Sequence, residues 1–391
     1  MGYDFDTVLD RRNTACEKWD NLISVFGTSD VLPLWVADMD FATPPAIRHA
    51  LARRLDHPTY GYTYATGNTL GAVRGWLGRK HSWEVDPEWI VFCPGVVPSL
   101  AMSVLAYSAP GDGVVVQSPV YPPFFTVIEA NGRRVLNNQL VNVNGRYEID
   151  WADLEVKLGQ GAKVMFLCSP ANPVGRVWTD QELARIIHMC ADRGVVLVSD
   201  EIHCDVVYSG CRHIPASSLG EQAWRNSVTL MSSSKTFNIQ GLNTSFAVIP
   251  DSRLRQAFMV AQSAVGGAQG NTFGLVALEA AFTQCDHWHV DLVEYLEGNR
   301  DYLERAALRS LPGIVPVRAE GMYVVWLDCR GLGLSDEELR SFFVKRARVG
   351  LNDGRVFGPG GEGFARLNIG CARSVLAEGI SRIVSALNSA S

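Results

Sequence analysis

Short apolar runs alternate with longer segments of helical period through the middle of the chain. Residues 89–92, 114–116, 164–167, 195–198 and 228–231 each read as a strand. They are rich in β-branched residues and lack polar alternation, as expected of parallel strands covered on both faces. The segments between them predict helices that run to Tyr107, to Ala130 and, from a capping box of Thr179 and Glu182, to near Gly194. Repeated strand–helix units predict an α/β protein with a doubly wound, mostly parallel sheet. Residues 246–249 add a strand, and helical patterns fill 253 to 311. Beyond them the character changes to α+β. Residues 322–327 and 364–369 read as strands, Ser335 and Glu338 cap a helix, and another helix closes the chain.

The front of the chain behaves differently. Residues 1–36 are polar with little period and read as an arm. Pro44-Pro45 opens a helix, because proline is tolerated in the first turn. An aromatic loop, Tyr60-Gly61-Tyr62-Thr63-Tyr64, precedes a helical segment around residues 72–77. The division expected is an arm over 1–45 that joins the small domain, a large domain over 46–285 and a small α+β domain over 286–391.

Composition narrows the function classes. The 391 residues are 47% hydrophobic and 19% charged, which is ordinary for a globular protein. A net charge of -6 without runs of like charge gives no reason to expect nucleic acid or an anionic membrane as partner. The acidic start lacks a basic-then-apolar signal pattern, and no apolar run is long enough to span a bilayer. Nine scattered cysteines read as reduced thiols of a cytoplasmic protein, with neither a disulfide frame nor a metal site.

The candidate chemistry falls just after the buried strands. Lys235 follows one of them in Ser232-Ser233-Ser234-Lys235. Ligands of α/β proteins gather at such strand ends. Its amine can form an imine with an aldehyde once burial or a neighbouring cation lowers its pKa from about 10.4. Asp200 ends a second strand, where an acid is either a helix cap or the partner of a buried cation such as a protonated pyridine nitrogen. At about 4 Å and an effective dielectric near 20 that pair is worth roughly 4 kcal/mol. Gly95-Val96-Val97 opens a helix whose free N–H groups suit a phosphate. Ser232 and Ser234 offer hydroxyls to the same group, and Tyr121, set between prolines, offers a ring to stack on a planar ligand. An imine-forming lysine, an acid for a ring nitrogen and a phosphate cradle are together what pyridoxal 5'-phosphate requires. Position 243 is asparagine, so no basic residue stands there for the phosphate.

Asn172-Pro173-Val174-Gly175, Asp200, Ser232-x-x-Lys235 and Arg366 in Arg-Leu-Asn-Ile-Gly resemble the fold-type I pyridoxal-phosphate enzymes of the aminotransferase class I/II family. Three longer motifs are similar to its cystathionine β-lyase branch, the C–S lyases of MalY and PatB type. They are Trp35-Val36-Ala37-Asp38-Met39-Asp40-Phe41, Asp200-Glu201-Ile202-His203-Cys204-Asp205 with His213-Ile214-Pro215, and Ser234-Lys235-Thr236-Phe237-Asn238-Ile239.

The resemblance implies an aspartate aminotransferase-like fold with a seven-stranded sheet, and it implies roles. Lys235 would be the catalytic residue, joined to the cofactor and then moving the substrate Cα proton. Asp200 would face the ring nitrogen, Asn172 the ring hydroxyl oxygen, Tyr121 the ring face and His203 the ring on the Asp200 side. The Val96 and Val97 amides, Ser232 and Ser234 would hold phosphate. Tyr62 would reach the phosphate of a neighbouring subunit, which implies a homodimer. Arg366 would grip the α-carboxylate of an amino-acid substrate, with Ala37, Tyr64, Tyr121 and Asn172 around it. Tyr60, like Tyr62 and Tyr64, is open to interface packing, Thr63 and Tyr64 could equally face the substrate, and His213 reads as structural.

The reaction expected is α,β-elimination from cystathionine or another L-cysteine S-conjugate, giving thiol, pyruvate and ammonia. Transamination uses the same residues and stays open. So does a decarboxylating, oxidative deamination of cysteine conjugates, as found in secondary metabolism. A binding protein on the same fold, without turnover, is the alternative from another class, and the intact Lys235 argues against it.

Overall fold

The computed structural model describes residues 2–267 and 270–389. Its main sheet has seven strands in the order Ile90–Cys93, Ser245–Val248, Ser227–Met231, Val196–Asp200, Ala162–Cys168, Gly113–Val116 and Arg134–Asn137. Ser245–Val248 pairs antiparallel with both of its neighbours, and the other pairings are parallel.

The pleat explains why these strands are apolar at every position. Successive side chains point to opposite faces. Val114, Val116, Val164, Phe166, Val198 and Leu230 enter one core, under helices Val96–Tyr107 and Ser252–Ala264. Val115, Met165, Leu167 and Leu197 enter the other, under helices Trp151–Gly159 and Asp180–Asp192. Full burial of a side chain such as Phe166 or Leu167 contributes about 1.5–3 kcal/mol.

Both capping boxes expected from the sequence are formed, at Thr179 with Glu182 and at Ser335 with Glu338. The strand expected at 322–327 is Val324–Asp328. It pairs antiparallel with Phe364–Asn368 in a four-stranded sheet. The helical pattern over 253–311 resolves into Ser252–Ala264, Thr272–Gln284 and Asp286–Ser310, with Ala268 and Gln269 outside the described residues.

Three features depart from the pattern of the sequence. Arg134–Asn137 is an edge strand of the main sheet. Val141–Val143 and Arg146–Glu148 form a hairpin. The arm is ordered rather than irregular: it carries helices Glu17–Asp20 and Leu22–Phe26, and Leu32–Pro33 pairs parallel with Val349–Gly350. Among the described residues no helix is long and apolar enough to cross a membrane. All nine cysteines are free thiols, and seven are buried.

The arm leads into a strap, residues 35–41, that runs between the two sheets. Buried Lys18 donates to Asp40 Oδ2 at 2.7 Å, Trp19 Nε1 donates to Asp40 Oδ1 at 3.0 Å, and Arg11 bridges Asp38 and Asp40. Asn238, three residues beyond Lys235, donates to Met39 O at 2.8 Å and accepts from Met39 N at 3.0 Å. Asn368 donates to Asp38 O at 2.6 Å and also to Val36 O.

Candidate active site

The carboxyl ends of the central strands open on one cavity of about 290 Å³. Ala37, Val96, Val97, Tyr121, Asn172, Asp200, His203, Ser232, Ser234 and Lys235, all expected from the sequence, line it. Residues separated by up to two hundred positions in the chain meet there because most of them follow strands of the same sheet.

Lys235 sits on the short helix Ser234–Phe237, directly after strand Ser227–Met231. Its Nζ donates to the carbonyl of Ala37 on the strap. Burial, with Arg366 nearby, lowers its pKa to about 8, against the opposing pull of Asp38 and Asp200. The amine therefore becomes neutral, and nucleophilic, far below the usual range of lysine.

Asp200 closes strand Val196–Asp200 and is buried. Burial pushes its pKa up to about 7 and Glu201 adds to the rise; the Ile202 N–H at 3.1 Å and the Lys235 charge oppose it. Among the described residues no cation forms an ion pair with Asp200. A buried carboxyl with no direct ion-pair partner favours a cation placed beside it. A pyridinium nitrogen is such a cation, and its binding would hold Asp200 ionised.

His203 is buried, with no partner for Nδ1 among the described residues and its ring 5.6 Å from that of Tyr323. Burial, with Lys235 and Arg366, drives its pKa well below the ordinary value, so it stays neutral. Tyr121 is half-buried and its phenol is pushed up, chiefly by burial and then by Asp200.

Helix Val96–Tyr107, whose first turn lines the same cavity, begins at Gly95, and no side chain among the described residues caps it. Its first N–H groups are free for an anion. Ser232 Oγ donates to Thr244 O at 2.7 Å and lies 2.9 Å from Ser234 Oγ. With Ser232 so engaged, the Ser234 hydroxyl is the one able to donate outward. Asn243 lines the cavity as well, and among the described residues no arginine does. The donor set fits a phosphate held mainly by backbone amides.

Arg366, on strand Phe364–Asn368, is buried behind Asn172. Nη1 donates to Asn172 Oδ1 at 2.9 Å, and Nη2 donates to Asn352 Oδ1 at 2.7 Å and Trp35 O at 3.1 Å. Nε has no partner among the described residues. These partners are all neutral, and burial lowers the guanidinium pKa to about 10. A carboxylate ligand would supply the missing charge.

Tyr62 and Tyr64 stand apart. Both are exposed, Tyr62 fully, and neither lines the cavity of its own chain. The site also contains residues that the sequence did not single out. Tyr323 donates to Ala37 O at 3.2 Å, and Gln240, Ile202 and Thr244 line the cavity. Tyr323 precedes an apolar strand and looks like core there; only its strap contact marks it.

The pattern of the aminotransferase class I and II family matches residues 29–383. Cystathionine β-lyase PatB of Bacillus subtilis (strain 168) is 44% identical over 386 residues, which cover 98% of this chain and 100% of that protein. Protein MalY of Escherichia coli (strain K12) is 35% identical, over 98% and 99% of the two chains. Among solved structures, cystalysin of Treponema denticola, which contains a pyridoxal 5'-phosphate cofactor, superposes with a TM-score of 0.97 at 34% identity, with 100% of both chains covered. The architecture is the fold-type I one that the sequence resemblance implied. A family match over nearly the whole chain thus meets a lysine, a lone buried acid and an uncapped helix in one cavity, and the chain belongs to the aminotransferase class I and II family.

Proposed function

We propose that the protein is a pyridoxal-phosphate-dependent C–S β-lyase acting on cystathionine or another L-cysteine S-conjugate. The observation that carries this reading is the meeting, in one cavity, of the buried Asp200 carboxyl, which has no direct ion-pair partner among the described residues, with a Lys235 amine whose pKa is about 8. The relatives with C–S lyase names support the outcome of the reaction.

Pyridoxal phosphate, when bound, supplies an electron sink for the pair released at the substrate Cα. The chain does the rest. Asp200 keeps positive charge on the ring side, and Ser234 with the first amides of helix Val96–Tyr107 anchors the phosphate. Arg366 and Asn172 hold the α-carboxylate. The neutral Lys235 Nζ takes the Cα proton, and the C–S bond at Cβ then breaks as the Cα–Cβ double bond forms. The departing thiolate takes up a proton. The released 2-aminoacrylate adds water and yields pyruvate and ammonia.

The 46–285 segment is the cofactor-binding unit of this reading, with the smaller 286–391 unit and the 1–45 arm closing the substrate side. The exposed Tyr62 supports a homodimer in which it completes the neighbouring site. Transamination is the second reading, favoured by the family's aminotransferase membership. The test is incubation of the yellow holoenzyme with S-substituted cysteines, with and without a 2-oxo acid. Equal thiol and pyruvate, independent of the 2-oxo acid, supports elimination. Amino transfer to the 2-oxo acid without thiol supports the second reading.

A further inference from the structure

Two buried acid–imidazole pairs lie directly behind Asp200 and Lys235, and the reaction above uses neither. Glu201 follows Asp200 in the chain and is fully buried. Its carboxylate accepts from Ser199 Oγ at 2.8 Å, Ala216 N at 2.8 Å and His213 Nε2 at 2.7 Å. Thr236 follows Lys235 and is also fully buried. Its Oγ1 donates to Asp205 Oδ2 at 2.8 Å. Asp205 Oδ1 accepts from His81 Nε2 at 2.9 Å and Trp76 Nε1 at 3.0 Å. The two pairs meet: the His81 and His213 rings pack edge to face with centroids 5.5 Å apart.

His81, Cys204 and Asp205 place potential metal-binding atoms within 4.8 Å of one another. Both Asp205 oxygens are already taken by side-chain donors, so the group is a hydrogen-bond hub.

We propose that this array, Glu201–His213 packed on His81–Asp205, is a positioning device that fixes the Asp200 carboxyl relative to the Lys235 amine. The inference rests on those two residues being the cofactor contacts. Each is tied to the array by its next neighbour in sequence, so neither can shift without disturbing a buried carboxyl–imidazole hydrogen bond. Leaving a buried polar group short of its hydrogen bond costs more than disturbing a solvated one. Thr236 acts through Lys235, and Glu201 through Asp200.

The test compares Thr236→Val, Thr236→Ser, Glu201→Gln and the Val/Gln double variant as holoenzymes. The readouts are the visible absorbance band, the pyridoxal-phosphate dissociation constant, kcat and KM separately, and the melting temperature. Thr236→Val is expected to lower kcat about tenfold with KM within about twofold, and to move the band. Thr236→Ser, which keeps the hydroxyl, is expected to restore both. The double variant is expected to lose less than the product of the single losses, because the two ties serve one geometry. Three outcomes overturn the proposal: a Thr236→Val enzyme with parental kcat and band, a loss that vanishes well below its melting temperature, or strictly multiplicative losses. If Glu201→Gln does not fold, the Thr236 pair decides alone. All comparisons are made to the parent, so an inactive parent defeats the lyase reading, and an active parent with indifferent variants defeats the array.

Discussion

Arg366 Nη1 donates to Asn172 Oδ1 at 2.9 Å, and this bond joins the four-stranded sheet to the end of a strand in the seven-stranded one. It fixes the guanidinium fork while leaving its charge uncompensated. Arg366→Lys keeps a cation but loses the planar two-point grip. The expected result is a KM for the amino-acid substrate raised by about 30- to 100-fold, equivalent to ~2–3 kcal/mol, with a smaller change in kcat. Steady-state kinetics with one S-conjugate checks it.

The Lys235 amine titrates near pH 8, where a solvated lysine does so near 10.5. In the cofactor-free protein, its rate of reaction with pyridoxal 5'-phosphate is expected to rise with pH up to about 8 and then level off. A profile that keeps climbing towards 10.5 contradicts the burial argument. Lys235→Ala is expected to abolish thiol release while still binding the cofactor non-covalently, read by dialysis and absorbance.

Asp200 carries the opposite pH signature to most carboxylates. Its folded pKa of about 7 lies above the 3.8 of a solvated aspartate. Between those pH values the folded, cofactor-free protein binds a proton that the unfolded chain has lost. Its contribution to stability is therefore complete below about 3.8 and falls as pH rises towards 7. Asp200→Asn removes this loss. Urea unfolding of the cofactor-free proteins is expected to show the variant gaining on the parent across that window, by up to ~4 kcal/mol.

The strap is anchored by a buried ion pair. Burial alone would raise the pKa of Asp40, but Lys18, Trp19 and Arg11 outweigh it and hold the carboxyl below the 3.8 of a solvated aspartate. Its stabilising contribution is present above that value and is lost as pH falls through the folded pKa. Lys18→Met leaves Asp40 buried beside a single remaining cation and is expected to cost about 3–5 kcal/mol. Urea denaturation at neutral pH measures the loss.

The exposed Tyr62 gives a test of subunit sharing. Lys235→Ala and Tyr62→Ala chains, each weakly active or inactive alone, are mixed and reassociated. In a hybrid dimer one site then has both residues intact, and about a quarter of parental activity is expected to return. No recovery means that Tyr62 serves its own chain or none.

Much of the fold and of the site is legible in the amino-acid sequence. Strands buried on both faces declare themselves by continuous apolar runs, and Lys235, Asp200 and Asn172 stand out as polar residues at their ends. The antiparallel direction of Ser245–Val248 is not legible, because pairing direction leaves no trace in a short buried run. The Val141–Val143 hairpin does carry a signal, Asn144-Gly145, both at positive φ. The surrounding residues are too polar for the strands to stand out. Arg366 is expected to hold a carboxylate, but its grip on Trp35, Asn172 and Asn352 depends on tertiary placement that no local pattern encodes.

The Ala37 carbonyl that receives the Lys235 amine belongs to the strap, and the strap is moored by Arg11 and Lys18. Trimming or tagging the first twenty residues, a routine step for an outwardly expendable segment, would thus loosen the seat of that buried amine from more than two hundred positions upstream.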